Sequence, residues 1–480
     1  MPTAADLESP LLTGRYMMLD RVDGHCAWIS SAVVALLPHP LPAHIPGGVI
    51  LGDGSILCDN AMDLAYDVFP DKILSKEKIV SHMNAAMLEL NKVGVVGVHD
   101  AGLRKWIVEG IRWMNEEGLL SVRVNAMLEC PIRNSFCSGE GDNGVDSVMG
   151  KSDNGMLSVL GVKLYADGAL GSWGAAMLEP YIDKPETSGT LVINRTALHR
   201  VIDQWYSAGY QVSVHCIGDQ ANHMVIQTYK ELLSAEPFSP PNQSRRLRVE
   251  HAQIITPEDQ LVLEHFGIIP SIQPTHATSD AAYAEARLGK HRLSTRAYRM
   301  KSLYDRGLPV VLGSDFPIES HDPRYGIYAA VTRRNPYSEE DTMVPSSSPF
   351  YPEEKITVRQ ALEGFIKNPA YAMWAEADTG DIAAGKWADW VVVRYADANG
   401  GGATGGSKSL GSRFWEQEWL DQGGDVRKLE VLETWVAGRK VYDSRSSSRS
   451  EDDQAQAKGR GAMAPMDWIQ QVLGGKWPYS

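Results

Sequence analysis

Short runs of β-branched and other apolar residues that end in a polar residue recur through the first two thirds of the chain. Each run has the length and composition of a single strand. We predict seven strands from these runs, at residues 95–100, 121–128, 159–168, 211–215, 247–251, 268–274 and 310–315.

Helices with recognisable ends lie between the later runs. Thr256 is a candidate N-cap followed by Pro257 at the first helical position, and Gly267 marks the end of that helix. Ser294 is predicted to cap a second helix that ends at Gly307. The strands recur about every 36 residues, the size of one strand–helix repeat. Such alternation predicts a parallel α/β sheet, either doubly wound or closed as a barrel.

The pattern changes in the last quarter of the chain. Residues 388–393 and 431–443 read as short strands without helices between them, and the second run predicts a hairpin that turns at Ala437 and Gly438. We therefore predict a barrel domain over residues 1–375 and part of a small β-sandwich domain over 376–443.

Two stretches near the C-terminus are rich in Gly, Ser and charge. They are residues 399–412, inside the small domain, and residues 444–464. Such compositions bury too little apolar area to offset the entropy of ordering. We predict a flexible insertion and a disordered linker, followed by a C-terminal tail over residues 465–480.

Composition and charge exclude several classes of protein. With 43% hydrophobic and 22% charged residues the chain is globular, and its formal charge of −14 has the wrong sign for binding nucleic acid. No apolar run reaches the roughly 18 residues that span a bilayer. The first residues carry Asp6 and Glu8 where a secretory signal would be basic. We predict a cytoplasmic protein that binds neither membrane nor nucleic acid.

Cysteine usage gives no sign of a disulfide framework or of a thiolate metal site. The number is odd and no CxxC spacing occurs. We predict buried, reduced thiols at Cys26, Cys58, Cys130, Cys137 and Cys216.

Polar residues at strand ends are the candidates for chemistry. His215, His251 and Asp315 each end a predicted strand, and the carboxyl ends of parallel strands meet at one edge of the sheet. Lys163 lies within a strand, where alternation directs it opposite to its apolar neighbours and into the barrel. A buried lysine must lose its proton, pair with carboxylates or be modified. Two imidazoles, a carboxylate and this lysine indicate a metal site.

Structural roles remain open for each of these residues. A strand-end histidine is often only hydrogen-bonded, and Asp315 could cap the following helix. Lys163 could pair with Asp167 or Glu179. Four further histidines are secondary candidates, namely His25, His99, His223 and His276.

Five motifs in order resemble the metal-dependent amidohydrolase superfamily. VKLYADGALGS, VHCIGDQA, RVEHAQ, QPTHATSD and VVLGSDFPIES are similar to its amidohydrolase-3 branch, the YtcJ-like proteins that include N-substituted formamide deformylases. The similarity runs from about residues 12–36 to 433–443. It implies an α/β fold of the TIM-type (β/α)8 barrel class with a small composite β domain.

The resemblance also implies site residues and a reaction. Lys163 would carry a CO₂-derived carbamate and would bind Zn²⁺ or another divalent metal together with His215, His251 and Asp315. The metal would supply hydroxide, and Asp315 would act as general base in hydrolysing a non-peptide C–N bond of a small amide or formamide. Candidate substrate contacts are His25, Trp28, Asp167 and His276.

One departure from the family pattern points to a second reading. The HxH pair that ends the family's first barrel strand occurs nowhere in this sequence, so we expect a barrel that lacks its first strand and a chain truncated at its N-terminus. The alternative function is a catalytically impaired or inactive amidohydrolase-fold protein that keeps the pocket. A nucleotide-binding fold is disfavoured because no GxGxxG or Walker loop follows a strand. The sequence is compatible with a homo-oligomer.

Overall fold

A curved parallel sheet carries the strand ends that the sequence singled out. The structure, a computed structural model, describes residues 2–21, 24–68, 76–141, 144–235, 244–337, 348–395 and 424–445. Its strands are β1 (Met18–Asp20), β2 (Cys26–Ile29), β3 (Gly48–Leu51), β4 (Ile56–Asp59), β5 (Gly97–Arg104), β6 (Arg123–Glu129), β7 (Gly150–Lys151), β8 (Leu157–Tyr165), β9 (Gln211–Cys216), β10 (Arg248–His251), β11 (Ile269–Ile272), β12 (Val311–Leu312), β13 (Trp390–Tyr395), β14 (Leu429–Val436) and β15 (Arg439–Asp443).

Helices follow most strands of this sheet. They are α1 (Ser31–Val34), α2 (Asp63–Tyr66), α3 (Lys76–Lys92), α4 (Lys105–Glu116), α5 (Arg195–Ser207), α6 (Asp219–Leu233), α7 (Pro257–Phe266), α8 (Pro274–Ser279), α9 (Ala284–Arg296), α10 (Met300–Asp305), α11 (Pro323–Thr332), α12 (Val358–Phe365) and α13 (Lys367–Ala372). None of these helices is long and apolar enough to cross a bilayer. The predicted insertion 399–412, residues 446–464 of the predicted linker and the tail 465–480 lie outside the described residues.

The seven predicted strands are confirmed and form one parallel sheet. Their order is β12-β11-β10-β9-β8-β6-β5, with β7 added antiparallel to β8. Because neighbours in the sheet are neighbours along the chain, the sheet curls as a half-barrel with its strand ends on one side. Among the described strands β5 and β12 are the two ends of the sheet. The absence of a first barrel strand stays a prediction.

The apolar face of this sheet packs under the helices. Val212 and Val214 of β9 and Trp205 of α5 have no exposed surface. Removing a side chain of this size from water contributes about 1.5–3 kcal/mol, as an upper estimate. The strands are therefore held by burial on their outer face, which leaves polar residues of the inner face available near the strand ends.

The helix ends confirm one prediction and correct another. Thr256 accepts a hydrogen bond from the Asp259 amide at the start of α7, and Gly267 ends that helix in the left-handed conformation. Ser294 is not a cap, because it lies inside α9, where its hydroxyl donates to the carbonyl oxygen of His291. That internal hydrogen bond satisfies the hydroxyl within the helix, and α10 begins only after Arg299.

The N-terminal segment forms an antiparallel sheet that we did not predict. Its order is β1-β2-β4-β3, with strands of only three or four residues. Cys26 and Cys58 face each other in register across β2 and β4 and form a disulfide. A second disulfide joins Cys130 and Cys137.

The prediction of reduced thiols is therefore wrong for four of the five cysteines, and only Cys216 is free and buried. Spacing along the chain could not show that these cysteines approach in space. Disulfides persist mainly in oxidising compartments. The cytoplasmic location stays a prediction.

The C-terminal segment forms a three-stranded antiparallel sheet, β13-β14-β15. The hairpin turns at Ala437 and Gly438 as predicted, with φ of 51° and 74° at these two residues. Arg123 of the main sheet donates to the Asp389 carboxylate beside β13, with a 2.6 Å bond from Nε. This ion pair connects the small sheet to Arg123, the first residue of β6. The domain boundary at residues 375 and 376 stays a prediction.

Candidate functional site

A cavity of about 880 Å³ opens at the carboxyl ends of the parallel strands. Strand-end residues form its floor, and residues of the N-terminal antiparallel sheet form part of its wall. Lys163, His215, His251 and Asp315 all line it. The four predicted residues thus lie at one edge of the sheet, where parallel α/β folds bring their strand ends together.

Four imidazole rings lie in a row along the cavity. His215 and His251, at the ends of β9 and β10, are in contact with ring centroids 4.4 Å apart. His276 in α8 stacks on His251 at 5.9 Å, and His25 contacts His215 at 5.4 Å. Asp315 lies at one end of the row, with its Oδ2 3.8 Å from the Nε2 of His276. The five side chains form one continuous cluster, which we call the imidazole row.

Three members of the imidazole row could hold a metal ion together. His251, His276 and Asp315 each offer a ligand atom, and these atoms lie within 4.8 Å of one another. Two of these residues were predicted ligands, whereas His276 was predicted only as a substrate contact. The sequence signal that could have identified His276 is its position four residues after the end of β11, near the same edge of the sheet as the other candidate ligands.

The local hydrogen bonding of these residues fits a metal ion. The Oε1 of Gln273 accepts a hydrogen bond from the Nδ1 of His251 at 3.0 Å, which leaves the Nε2 lone pair for coordination. The Nε2 atoms of His215 and His276 are buried and have no hydrogen-bond partner in the part of the chain that the structure describes. Buried polar atoms without partners are rare, and a bound ion would satisfy them. Imidazole and carboxylate ligands suit Zn²⁺ and similar ions.

Burial keeps two of the imidazoles in the neutral form that binds metals. It lowers the pKa of His251 to about 4, although the nearby Asp315 opposes the shift. It lowers the pKa of His215 well below its usual value, and the neighbouring His251 and His25 act in the same direction. Near neutral pH both rings are therefore unprotonated, with a lone pair on one nitrogen.

The backbone is strained at two residues of the cluster. His251 and Asp315 have φ of 68° and 57°, and Ala252 follows at 44°. These are left-handed conformations, which cost non-glycine residues on the order of 1–3 kcal/mol each. Strain of this kind is retained where it orients a functional side chain. Here it occurs at His251, the last residue of β10, and at Asp315, three residues after the end of β12.

Lys163 is buried in β8, on the cavity side as predicted. Its Nζ lies 4.7 Å from the centroid of the Tyr165 ring. Within the described ranges, no carboxylate oxygen lies within 4 Å of this amine. The alternative pairing with Asp167 or Glu179 is therefore wrong, because backbone amides occupy Asp167 and the guanidinium of Arg296 pairs with Glu179.

Asp167 organises the loops around His215. Its carboxylate accepts hydrogen bonds from the backbone amides of Ala176, Ile217 and Gly218 at 2.8–3.0 Å. Its Oδ1 lies 3.6 Å from the Nε2 of His215. Complete burial raises the pKa of Asp167 to about 7, and the three amides oppose that shift. Asp167 does not line the cavity, so its predicted contact with substrate is not retained in our proposal.

The remaining predicted substrate contacts differ in position. His25 lines the cavity, and its Nδ1 lies 2.8 Å from the Oδ1 of Asp59. Trp28 lies outside the cavity, where its indole N–H donates to the carbonyl oxygen of Thr3 at 3.0 Å. Trp28 therefore has a structural role in the N-terminal sheet and takes no further part in our proposals.

A buried charge network on β10 was missed by the sequence reasoning. Arg248 and Glu250 lie two residues apart on one face of the strand, with Nε and Oε1 at 2.8 Å. Arg248 also donates to the Nδ1 of His99 at 3.0 Å. Burial, reinforced by Arg248, lowers the pKa of His99 to about 3, so this ring is a neutral acceptor. His99 therefore belongs to this network, and His223 lies elsewhere, paired with Asp259.

The chain is similar in sequence to several known proteins. The chain is 29% identical over 409 residues to "Putative amidohydrolase YtcJ" of Bacillus subtilis, covering 82% of this chain and 71% of that protein. It is 22% identical over 462 residues to "N-substituted formamide deformylase" of Arthrobacter pascens, covering 93% of this chain and 77% of that protein. It is 30% identical to "Protein LONG AFTER FAR-RED 3" of Arabidopsis thaliana over 282 residues, 59% of this chain but only 42% of that protein.

Solved structures show the same fold. The chain superposes on an uncharacterized metal-dependent hydrolase of Pyrococcus horikoshii with a TM-score of 0.63 and 24% identity, covering 79% of this chain and 71% of the other. An uncharacterized metal-dependent hydrolase of Pyrococcus furiosus superposes with a TM-score of 0.61 and 26% identity, covering 80% of this chain and 73% of the other. The family model described as "Amidohydrolase family" (Amidohydro_3) matches residues 2–442. The chain therefore belongs to the amidohydrolase family.

Proposed function

We propose that this protein is a metal-dependent hydrolase that cleaves the non-peptide C–N bond of small amides, with formamides as the first class to test. The observation that carries the proposal is the grouping of His251, His276 and Asp315 within 4.8 Å in a large cavity at the strand ends. The similarity to a protein named for formamide deformylation supports the substrate class. The acidic net charge of −14 supports a small-molecule substrate over nucleic acid.

The ligands of the metal come from the imidazole row and from Lys163. His251, His276 and Asp315 would hold one divalent ion, Zn²⁺ being the first candidate, and His215 would join them or hold a second ion. A bound ion would supply Lewis acidity, polarising the carbonyl group and lowering the pKa of water. Reaction of the Lys163 amine with CO₂ would form an N–C bond and release one proton, and the resulting carbamate would offer two oxygen ligands.

Asp315 is suited to move protons in this reaction. Its side chain is 37% exposed and reaches the cavity from the end of β12. The carboxylate would accept a proton as water attacks the amide carbon and would donate it to the departing nitrogen, because an amine leaves readily only when protonated. The left-handed backbone at Asp315 holds this carboxylate at the mouth of the site.

The cavity wall is suited to the rest of the substrate. Tyr66, Trp106, Tyr283 and Phe316 line it and offer aromatic surface for an apolar substituent on the amide nitrogen. Pockets that bind small molecules are commonly built in this way, with few polar groups that fix the orientation.

Metal analysis combined with a formamide assay tests the proposal. We expect the purified full chain, incubated with zinc and bicarbonate, to hold about one or two zinc ions by mass spectrometry. It should hydrolyse an N-aryl formamide, lose that activity on chelation and regain it with zinc. A chain that binds no metal, or that binds zinc without any turnover of aryl or alkyl formamides and amides, would overturn the proposed function.

A further inference from the structure

The loop that carries Asp315 receives little support from the parallel sheet. Strand β12 has only two residues, pairs with β11 alone among the described strands, and ends three residues before Asp315. Asp315 and the two residues after it are exposed, so packing does not hold them. The left-handed backbone at Asp315 persists only where surrounding contacts fix it. A contact outside the strand is therefore needed to keep this carboxylate in place.

A buried carboxylate four residues after Asp315 provides such a contact. Glu319 is 9% exposed. Its Oε1 accepts a hydrogen bond from the Ser279 hydroxyl at 2.6 Å, and its Oε2 accepts one from the Tyr337 hydroxyl at 2.5 Å. Hydrogen bonds of this length between a hydroxyl and a carboxylate are charge-assisted and stronger than those between neutral groups. They fix Glu319 and, with it, the loop after β12.

Ser279 is the last residue of α8, the helix that carries His276. Gln273, directly before this helix, accepts the hydrogen bond from the Nδ1 of His251 at 3.0 Å. Helix α8 is therefore linked to the end of β10 at its start and to the loop after β12 at its end. One short helix, with a side-chain hydrogen bond at each end, thus joins the three segments that carry the candidate metal ligands.

The hydrogen bond between Ser279 and Glu319, which we call the clamp, connects the same two segments as a pair of candidate ligands. Ser279 lies three residues after His276, and Glu319 lies four residues after Asp315. The Nε2 of His276 and the Oδ2 of Asp315 are 3.8 Å apart. Zinc lies about 2.0–2.2 Å from imidazole and carboxylate ligand atoms, so one ion can reach both atoms at this separation.

We propose that Ser279 and Glu319 are positioning residues of the metal site, because the clamp holds Asp315 beside His276 at a separation that one ion can bridge. This inference rests on the proposed function and adds two residues that act through the ligands. Without the clamp, the exposed loop would have to be ordered when the ion binds, and this ordering costs affinity. Interactions that orient metal ligands typically contribute about 10- to 100-fold to metal affinity.

Zinc affinity of clamp variants tests the inference, measured on the purified full chain by competition with a chromogenic chelator. We expect Ser279→Ala and Glu319→Ala each to weaken zinc binding by about tenfold. Glu319→Gln should stay within about threefold of the unsubstituted protein, because its amide oxygen still accepts from Ser279. If Glu319→Gln binds zinc as weakly as Glu319→Ala, the charge of Glu319 and not the clamp sets the affinity, and the inference is wrong.

A neighbouring hydroxyl in α8 provides the matched control. The Thr278 hydroxyl is buried and donates to the carbonyl oxygen of Thr275 at 3.0 Å, within the helix. Thr278→Ala should therefore lower the melting temperature while changing zinc affinity by less than about twofold. A loss of zinc affinity in Thr278→Ala equal to that in Ser279→Ala would attribute the effect to the stability of the helix and would overturn the inference.

A double-variant cycle shows whether the clamp acts through Asp315. In the Asp315→Asn protein we expect Ser279→Ala to change zinc affinity by less than about twofold, because the carboxylate that the clamp positions is already gone. A further tenfold loss in this background would show that Ser279 acts elsewhere, a result that contradicts the inference.

The outcomes distinguish this inference from the proposed function. Zinc affinities that are equal in the unsubstituted protein and both alanine variants of the clamp would contradict the inference even if formamides are hydrolysed. Zinc binding that depends on the clamp, without turnover of any formamide or amide, would support the inference and contradict the proposed hydrolysis. An unsubstituted chain that binds no zinc would contradict both.

Discussion

The imidazole row ends at Asp315, beside His276, which we call its open end, and at His25, which pairs with Asp59 of the N-terminal sheet and which we call its closed end. The two histidine–aspartate pairs differ in how tightly they are held. His276 and Asp315 are 3.8 Å apart, too far for a hydrogen bond, and Asp315 is 37% exposed. His25 and Asp59 are 2.8 Å apart, and the Cys26–Cys58 disulfide braces them. The atoms of His276 and Asp315 that face each other are not hydrogen-bonded together and can accept an ion, whereas the hydrogen bond between His25 and Asp59 already engages the two atoms that form it.

Replacing the carboxylate at the open end should have the largest effect. Asp315→Asn keeps the shape but removes the proton acceptor and a charged ligand, so we expect kcat for formamide hydrolysis to fall by about 10²–10⁴-fold. The matched control is Asp305→Asn, a carboxylate on the surface of α10 that pairs with Lys301. Steady-state kinetics measure kcat for each variant. A kcat of Asp315→Asn within threefold of that of the unsubstituted protein would show that Asp315 does not transfer the proton.

Metal affinity should distinguish the two histidines. We expect His276→Ala to weaken zinc binding by about 10- to 100-fold and His25→Ala to change it by less than about twofold. The reason is that the Nε2 of His276 has no hydrogen-bond partner among the described residues, whereas the Nδ1 of His25 is engaged by Asp59. Competition with a chromogenic chelator measures both affinities. Equal losses in the two variants would mean that the ends of the row do not differ as described.

The disulfides should contribute unequally to stability. Replacing both Cys26 and Cys58 with Ser opens a cross-link between residues 32 apart, and we expect a loss of about 2–4 kcal/mol in the free energy of unfolding. The pair Cys130 and Cys137, only 7 apart, should contribute about 1 kcal/mol less. Urea unfolding of the two double variants compares them. A larger loss for the short loop would contradict the proposed bracing of the closed end.

The smallest effect should come from a methyl group at Gly168. Gly168→Ala places a Cβ 3.3 Å from the Asp59 Oδ1 and 3.4 Å from the backbone of Gly174, and it should lower kcat/KM for formamide hydrolysis by about two- to fivefold. Gly313→Ala, at the open end, has no atom within 4 Å of the added Cβ and serves as control. If kcat/KM fell in Gly313→Ala and not in Gly168→Ala, the Asp59 carboxylate would not be closely packed against Gly168.

Much of the fold could be predicted from the sequence because the parallel strands are apolar and regularly spaced. The positions of β9, β10 and β12 follow from that pattern, although β12 ends three residues before Asp315, and so does the choice of three cluster residues, His215, His251 and Asp315. The short strands of the N-terminal sheet could not be predicted, because three or four residues show too little alternation to distinguish a strand from a loop.

Most of the missed features of the site depend on contacts between distant segments. The disulfide of Cys26 and Cys58 requires the register of β2 and β4, which spacing along the chain does not reveal. The ion pair of Arg248 with Glu250 shows that a strand taken as apolar carries charges on its inner face. His276 was undervalued because it lies in a short helix beyond its strand, where the distance to Asp315 depends on how the two loops pack.

A cobalt titration of the full chain tests the central claim most directly, because Co²⁺ bound by imidazole and carboxylate absorbs visible light and reports its ligands without requiring turnover. We predict saturable visible bands, with bicarbonate present, that weaken strongly in His251→Ala, His276→Ala and Asp315→Asn and persist in His25→Ala. Failure of the unsubstituted chain to bind the ion, or bands that are indifferent to His276 and Asp315, would contradict the claim that the open end of the imidazole row is a metal site.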